Sequence, residues 1–226
     1  MKVFQRPGPV NTDEVIEIAS AASSKYEHIV VASITGDSAV KLAERVDGKK
    51  LICVTCPQGM TWEIMGTAEG PFAEIPELKQ IRSKWLKQGL KHVPMQITAA
   101  NRKKLDRLRV RIVQGTIPFF GPTFSMRVHL KKVTDLDVMA KTLELISTGT
   151  LVCLECVLMA VDAGLIPEGK KVLALAGTER GLDTAWVLRS SASANLFHPS
   201  KGARFSELLA KPGYTLVPDI EIKYIR

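Results

Sequence analysis

The residues best suited to bind a ligand lie in a short loop at positions 33–39, SITGDSA. Gly36 lets the backbone approach a ligand closely, and Thr35 and Ser38 supply hydroxyl groups. A helix beginning here would add free amides and the positive end of its dipole, so the loop predicts an anion site, such as one for a phosphate. An ordinary capped turn between a strand and a helix fits the same residues, with Asp37 or Ser38 as the cap. The loop is neither a Walker sequence nor a GxGxxG motif.

A second loop of similar composition covers positions 177–184 and contains GTERGLDT. It holds two glycines and two threonines together with Arg180 and Asp183, a set that tight turns also use. A third segment, CPQG, follows at positions 56–59. In an open parallel sheet the loops after strand ends share one crevice, so the three loops together predict one ligand site.

Other chemistries have weaker signals. Two CxxC pairs invite a zinc site, but each begins inside an apolar segment where unbridged cysteines are ordinary core residues, so we predict no metal site. The histidines lack ligand spacing, and we find neither a GxSxG motif nor a recognisable catalytic carboxylate pair. The four cysteines are Cys53, Cys56, Cys153 and Cys156.

The segments around the loops predict an α/β fold. The apolar run 28–33 precedes the first loop, SAVKLAERV follows with helical spacing, and LICVT at 51–55 is a second apolar run. Strand, helix and strand in this order form a βαβ unit with parallel strands. The run 171–177 before the second loop is typical of a strand buried on both faces. We predict a single α/β domain over residues 1–226.

Five further elements are predicted. A basic amphipathic helix covers 76–89, and strands are expected at 92–97 and in the alternating segment LRVRIVQG. Helices are expected from Asp135 and over 150–163, and the second of these is apolar nearly all round, so it should be deeply buried.

Composition excludes several classes of protein. The chain has 226 residues, 46% hydrophobic and 24% charged, which argues against disorder and fibrous folds. We find no membrane-length apolar run and no signal peptide, and we expect a cytoplasmic protein with no membrane partner. The net charge of +8 is concentrated in the middle, where residues 79–132 hold 14 Lys and Arg against one acid, Asp106.

The segment VVASITGDSAVKLAE followed by LICVT resembles the C-terminal α/β domain of pyruvate kinase. More closely, RPGPVNT at 6–12, TCPQGM at 55–60 and the long stretch 151–189 resemble a family of small, largely uncharacterised archaeal and bacterial proteins described as pyruvate-kinase C-terminal-domain-like. The similarity covers both ends of the chain, whereas residues of about 75–130 form a divergent basic insertion. Pyruvate kinase activity is not expected, because the catalytic barrel of that enzyme has no counterpart in this sequence.

The resemblance implies a three-layer α/β/α fold with a mostly parallel sheet and a site for flavin mononucleotide (FMN). By position, the phosphate would lie on Thr35, Gly36, Asp37 and Ser38. Around the rest of the ligand the resemblance places Ser33, Thr55, Gly59, Gly177, Thr178, Gly181, Asp183, Thr184 and Arg189. A reducible flavin would make an oxidoreductase of unknown substrate, so an enzymatic role stays open.

Two other functions are alternatives to binding a flavin or another phosphorylated small molecule. A nucleic-acid-binding module would use NRKKLDRLRVR and the aromatic residues as stacking surfaces. A regulatory scaffold would form a homo-oligomer through the 76–89 helix and the apolar 116–124 segment. The aromatic residues in question are Trp85, Phe119, Phe120 and Phe124.

Overall fold

The computed structural model describes residues 1–216, and its core is a seven-stranded sheet. The seven strands are β1 (Lys2–Phe4), β2 (His28–Ala32), β3 (Leu51–Thr55), β6 (Arg111–Gln114), β7 (Lys171–Ala176), β8 (Thr184–Arg189) and β9 (Arg204–Pro212). Their order across the sheet is β1-β9-β8-β7-β2-β3-β6. A separate two-stranded sheet contains β4 (Thr61–Glu63) and β5 (His92–Pro94).

Eight α-helices lie among these strands within the described residues. They are α1 (Thr12–Ala22), α2 (Asp37–Ala43), α3 (Pro71–Glu74), α4 (Pro76–Lys87), α5 (Ala99–Arg107), α6 (Gly121–Leu130), α7 (Asp135–Glu144) and α8 (Thr148–Asp162). No helix of residues 1–216 is long and apolar enough to cross a membrane.

The predicted βαβ unit is confirmed. β2 and β3 pair in parallel with Ile29 opposite Leu51, and α2 connects them. β7 and β6 join the same parallel group on either side, because both β2–β7 and β3–β6 are parallel pairs. β8 runs antiparallel to its neighbours β7 and β9, which makes the sheet mixed but mostly parallel.

Helices cover both faces of the sheet, so the molecule has the three-layer α/β/α arrangement. On one face α1, α2 and α5 pack against side chains such as Ile29 and Leu173. On the other face α7 and α8 pack against the alternate side chains of the same strands, such as Val30 and Val172. The alternation follows from the pleat of the strands, which sends successive side chains to opposite faces.

The basic middle of the chain folds differently from the prediction in one place. The strand expected at 92–97 covers only β5, and it pairs antiparallel with β4 outside the main sheet. β4, α3, α4 and β5 form their own hydrophobic cluster around Trp62, Phe72 and Trp85. We call residues 61–95 the cap. The predicted half-exposed strand is confirmed as β6, at the edge of the main sheet.

Candidate functional site

A cavity of about 720 Å³ lies at the edge of the sheet where β2, β3 and β7 end. Because these three strands are parallel, the loops that follow them meet at this edge. Seven of the predicted site residues line the cavity: Ser33, Thr35, Asp37, Ser38, Thr55, Gly177 and Gly181. The expectation that the three loops share one crevice is therefore met by their placement.

The first loop, residues 33–38, is fixed by the main chain and by α5. The Ser33 amide donates to the Val54 carbonyl oxygen (2.9 Å), which ties the loop to β3. Gly36 has φ +89°, and a Cβ there would lie 2.9 Å from Cβ of Asn101. Glycine is therefore required at this position both by backbone conformation and by the close approach of α5, and not by direct contact with the cavity.

Asp37 is held by partners on three sides. Its carboxylate accepts hydrogen bonds from the Thr35 hydroxyl (2.6 Å) and the Asn101 amide (2.7 Å), and Arg180 lies 3.4 Å away. Burial opposes ionisation, but these hydrogen bonds, with the charges of Arg180 and Lys41, lower the pKa of Asp37. Asp37 is ionised at neutral pH, and the Thr35 hydroxyl is engaged with it. Asp37 does not cap α2.

Two hydroxyls of the first loop have no hydrogen-bond partner among the described residues. Ser33 and Ser38 are both buried and both line the cavity. Within residues 1–216 neither hydroxyl makes a hydrogen bond, and neither is fully enclosed by the protein. Since buried polar groups in folded proteins are nearly always hydrogen-bonded, these two hydroxyls are available to a ligand or to water.

Three polar side chains of the second loop, those of Thr178, Asp183 and Thr184, lie outside the cavity lining. Asp183 is fully buried and accepts hydrogen bonds from the Gly8 amide, the Thr178 amide and hydroxyl, and the Thr184 hydroxyl, at 2.7–3.1 Å. Burial raises the pKa of Asp183 although these four bonds oppose the shift. Thr184 is in turn bonded to Ser147 (3.1 Å). We call these residues the closed network. Thr178, Asp183 and Thr184 shape the loop, contrary to their predicted position around a ligand.

Arg189 and Gly59 also lie outside the cavity lining. Arg189 ends β8 and pairs with Lys171 at the start of β7, because β8 runs antiparallel to β7. Arg189 therefore lies at the end of the sheet where β7 begins, opposite to the end where the cavity lies, and it cannot contact a ligand held by the loops. Gly59 has φ +86° and no atom within 4 Å of a Cβ built on it, so it serves as a turn residue.

The cap closes one side of the cavity, and it touches the second loop. Trp62, which lines the cavity, donates from Nε1 to Glu179 Oε2 (3.3 Å). The Arg180 guanidinium lies over the Trp62 ring at 5.5 Å from its centroid. Arg6 and Glu77 form a bidentate ion pair, with distances of 2.8 and 2.6 Å, that holds α4 to the N-terminal segment. Sequence reasoning did not identify the cap as a wall of the site.

The opposite wall of the cavity is α8. This helix contains a candidate functional residue that the sequence analysis missed. Glu155 is buried in the middle of this otherwise apolar helix and lines the cavity. A single acidic residue in a run of apolar ones was a signal that could have identified it, because an unpaired buried carboxyl is costly and needs a reason.

The cationic side chains around the cavity are paired with acids. Lys41 is 2.8 Å from Asp13, and Arg127 forms an ion pair with Asp137. Lys141 is 2.5 Å from Glu144, and Arg180 similarly faces Asp37, so none of these four cations offers an uncompensated charge. An anionic ligand must therefore rely on neutral donors, or it must displace one of these acids.

All four cysteines are free and buried, as the sequence predicted for core residues. Burial raises the pKa of each thiol, so none is a ready nucleophile. Among residues 1–216 there is no group of three or more histidine, cysteine or acidic side chains that could hold a metal ion.

The aromatic residues proposed to stack on nucleic acid are only partly available. Trp85 lies inside the cap cluster and Phe119 in the core beneath α8, so both are buried. Phe124 is 42% exposed and stacks on Phe120 with ring centroids 4.7 Å apart. The homo-oligomer stays a prediction, as does the nucleic-acid partner.

A search against models of known protein families found none that matches the chain.

Proposed function

We propose that the cavity binds a phosphorylated small molecule with a flat ring, and that this ligand is FMN. The observation that carries the proposal is the pair of unpartnered hydroxyls, Ser33 and Ser38, inside a cavity of about 720 Å³ at the carboxyl edge of a parallel sheet. Cavities for cofactors occupy about 300–1,000 Å³ and favour such edges. The pyruvate-kinase C-terminal-domain-like resemblance supports FMN among phosphorylated ligands.

The residues present fit such a ligand in two ways. The polar side of the cavity offers the hydroxyls of Ser33, just after β2, and Ser38, at the start of α2. The apolar side offers surfaces suited to a ring. These are Trp62, Ile81, Met95, Ile117, Phe119 and Phe120.

Asp37 defines how a phosphate could be accommodated. Its ionised carboxylate repels a dianion, and it is held in place by Thr35 and Asn101. We therefore assign the phosphate contacts to the hydroxyls of Ser33 and Ser38 and not to Thr35. Arg180 lies 3.4 Å from Asp37 and over the Trp62 ring, so turning its guanidinium to the phosphate would replace both of these contacts.

FMN would supply hydride or electron transfer when bound, and the chain itself would bind, orient and shield it. Trp62 and the other cap residues line the cavity on one side, so they would shield a bound ring from water on that side. An oxidoreductase activity is the enzymatic form of this proposal. No side chain of the cavity identifies the substrate.

The test is the visible absorption of the purified protein, followed by titration of stripped protein with FMN and with riboflavin, which lacks the phosphate. We expect a flavin spectrum and tighter binding of FMN. Ser38→Ala should reduce the preference for FMN over riboflavin, whereas Ser83→Ala, on the exposed side of α4, should not. Colourless protein that binds neither compound would overturn the flavin assignment.

A further inference from the structure

The cavity has a second polar feature, on the α8 wall and apart from the first loop. α8 presents one face to the cavity through Thr148, Leu151, Val152, Glu155, Cys156 and Met159. Glu155 is the one charged side chain of this face, and it is only 5% exposed. On this face of the helix, the neighbours of Glu155 in the turns before and after it have apolar or thiol side chains. The helix itself therefore gives the Glu155 carboxyl no hydrogen-bond partner.

The Glu155 carboxyl makes a single hydrogen bond within residues 1–216. Its Oε1 accepts from the Phe119 amide at 3.1 Å. Its Oε2 has no hydrogen-bond partner within the same residues. Oε2 is also not fully enclosed by protein, because the fully enclosed side-chain atoms without a partner in the described chain are His28 Nδ1 and Thr215 Oγ1. One oxygen is therefore fixed by the main chain, and the other is accessible from the cavity.

This carboxyl is neutral at pH 7. Burial raises the pKa of Glu155 to about 8, with the Phe119 hydrogen bond acting against the shift and the charge of Glu144 adding to it. Two buried thiols, those of Cys56 and Cys156, also interact with Glu155, and their own pKa values are raised. Glu144 is itself paired with Lys141. Because Oε1 already accepts a hydrogen bond, the proton belongs on Oε2. The Oε2–H group can therefore donate a hydrogen bond into the cavity.

We infer that Glu155 binds the edge of the ligand's ring at which a hydrogen-bond acceptor adjoins an N–H donor. Its Oε2–H donates to the ring acceptor, and the second lone pair of Oε1 accepts the ring N–H. The inference rests on the proposed function, since it takes the ring to occupy this cavity. A cyclic imide such as that of flavin has this edge, and so has the amino-substituted ring of adenine.

The matched variants are Glu155→Gln and Glu155→Leu, tested by equilibrium titration with FMN at pH 7. Gln keeps an N–H donor and a carbonyl acceptor, so affinity should stay within about 3-fold of wild type. Leu removes both hydrogen bonds and should weaken FMN binding by at least about 10-fold. Asp162→Asn, at the exposed end of the same helix, is the control. Thermal unfolding of each variant shows whether it is folded.

Two readouts separate this contact from a structural role. FMN methylated at the imide nitrogen should bind wild type at least about 10-fold more weakly than FMN, and Glu155→Leu should weaken it little further. Between pH 7 and 9 wild type should lose affinity for FMN relative to Glu155→Gln, because ionisation removes the Oε2 proton. The FMN-to-riboflavin affinity ratio should be the same in all Glu155 variants, since the phosphate lies elsewhere.

The outcomes distinguish the inference from the proposed function. Binding of FMN that a folded Glu155→Leu leaves unchanged would overturn the inference alone. If FMN fails to bind but AMP binds and Glu155→Leu abolishes it, the flavin assignment falls while the inference holds. If neither FMN nor AMP binds wild type, both are overturned.

Discussion

The closed network around Asp183 and the open polar lining of the cavity use similar residues for opposite purposes. Around Asp183, donors from the N-terminal segment and the second loop satisfy the carboxylate with four hydrogen bonds. In the cavity, Ser33, Ser38 and Glu155 each keep unused hydrogen-bonding capacity. The first region has nothing left to offer a ligand, and the second does.

The difference shows that residue type in a loop does not by itself assign a ligand contact. Both loops follow parallel strands and both contain glycine, threonine and aspartate. Asp183 is fully buried, whereas the Asp37 side chain is 61% exposed. Each aspartate organises its own loop, so the candidates for ligand contact are the neutral groups that neither aspartate engages. The following predictions test this contrast, beginning with the largest effect.

Asp183→Ala should lower the free energy of unfolding by at least about 3 kcal/mol, because it leaves four buried donors without an acceptor. Chemical denaturation measures the change. Asp106→Ala, on the exposed face of α5, should change it by less than about 0.5 kcal/mol. Equal effects of the two substitutions would refute the closed network as a major source of stability.

Gly181→Ala should cost about 2–3 kcal/mol of unfolding free energy. The residue has φ +75°, and a Cβ would lie 2.5 Å from Thr12 Oγ1 and 2.7 Å from Pro9 Cα, so the second loop must shift. Gly59→Ala is the matched control, because Gly59 also has a positive φ but open space around it. It should cost only the backbone strain of about 1 kcal/mol. A Gly59→Ala variant as unstable as Gly181→Ala would contradict the close approach.

Glu155→Gln should change how the stability of the ligand-free protein depends on pH. The native pKa of Glu155 is raised from its ordinary 4.5 to about 8, so the native state holds the proton that the unfolded state releases. Between those values wild type should lose stability relative to Glu155→Gln as pH rises, by at most about 1.4 kcal/mol per pH unit. Denaturation at pH 4.5, 6 and 7.5 measures the difference. A difference that does not vary with pH would show that Glu155 ionises normally.

Ser38→Ala should have the smallest effect on folding and a clear one on binding. The hydroxyl has no partner within the described chain, so the unfolding free energy should change by less than about 0.5 kcal/mol. FMN affinity should fall by about 5-fold, the expected cost of one hydrogen bond. Thr35→Ala should show the opposite pattern. It should lower the unfolding free energy clearly and FMN affinity little, since the Thr35 hydroxyl donates to Asp37. A Ser38→Ala variant with unchanged FMN affinity would remove this hydroxyl from the site.

Much of the fold could be predicted because it is written in local patterns. The apolar runs that became β2, β3 and β7 and the apolar segment that became α8 needed no long-range information. The cap was harder to predict, because its short strands pair with each other outside the main sheet and their sequences lack clear alternation. The position of Arg189 was missed because antiparallel β8 carries its end away from the cavity, a reversal that the strand's own sequence does not encode.

By itself the sequence determined the parallel strands and the three loops that meet at their carboxyl edge. Only the tertiary structure decided which polar groups of that edge are engaged and which are open. The physical reason is that a hydrogen-bond partner can come from anywhere in the chain. Gly8 reaches Asp183 across 175 positions, and Phe119 fixes Glu155 across 36. Apolar periodicity is local, whereas the satisfaction of a buried polar group is set by whatever the fold brings beside it.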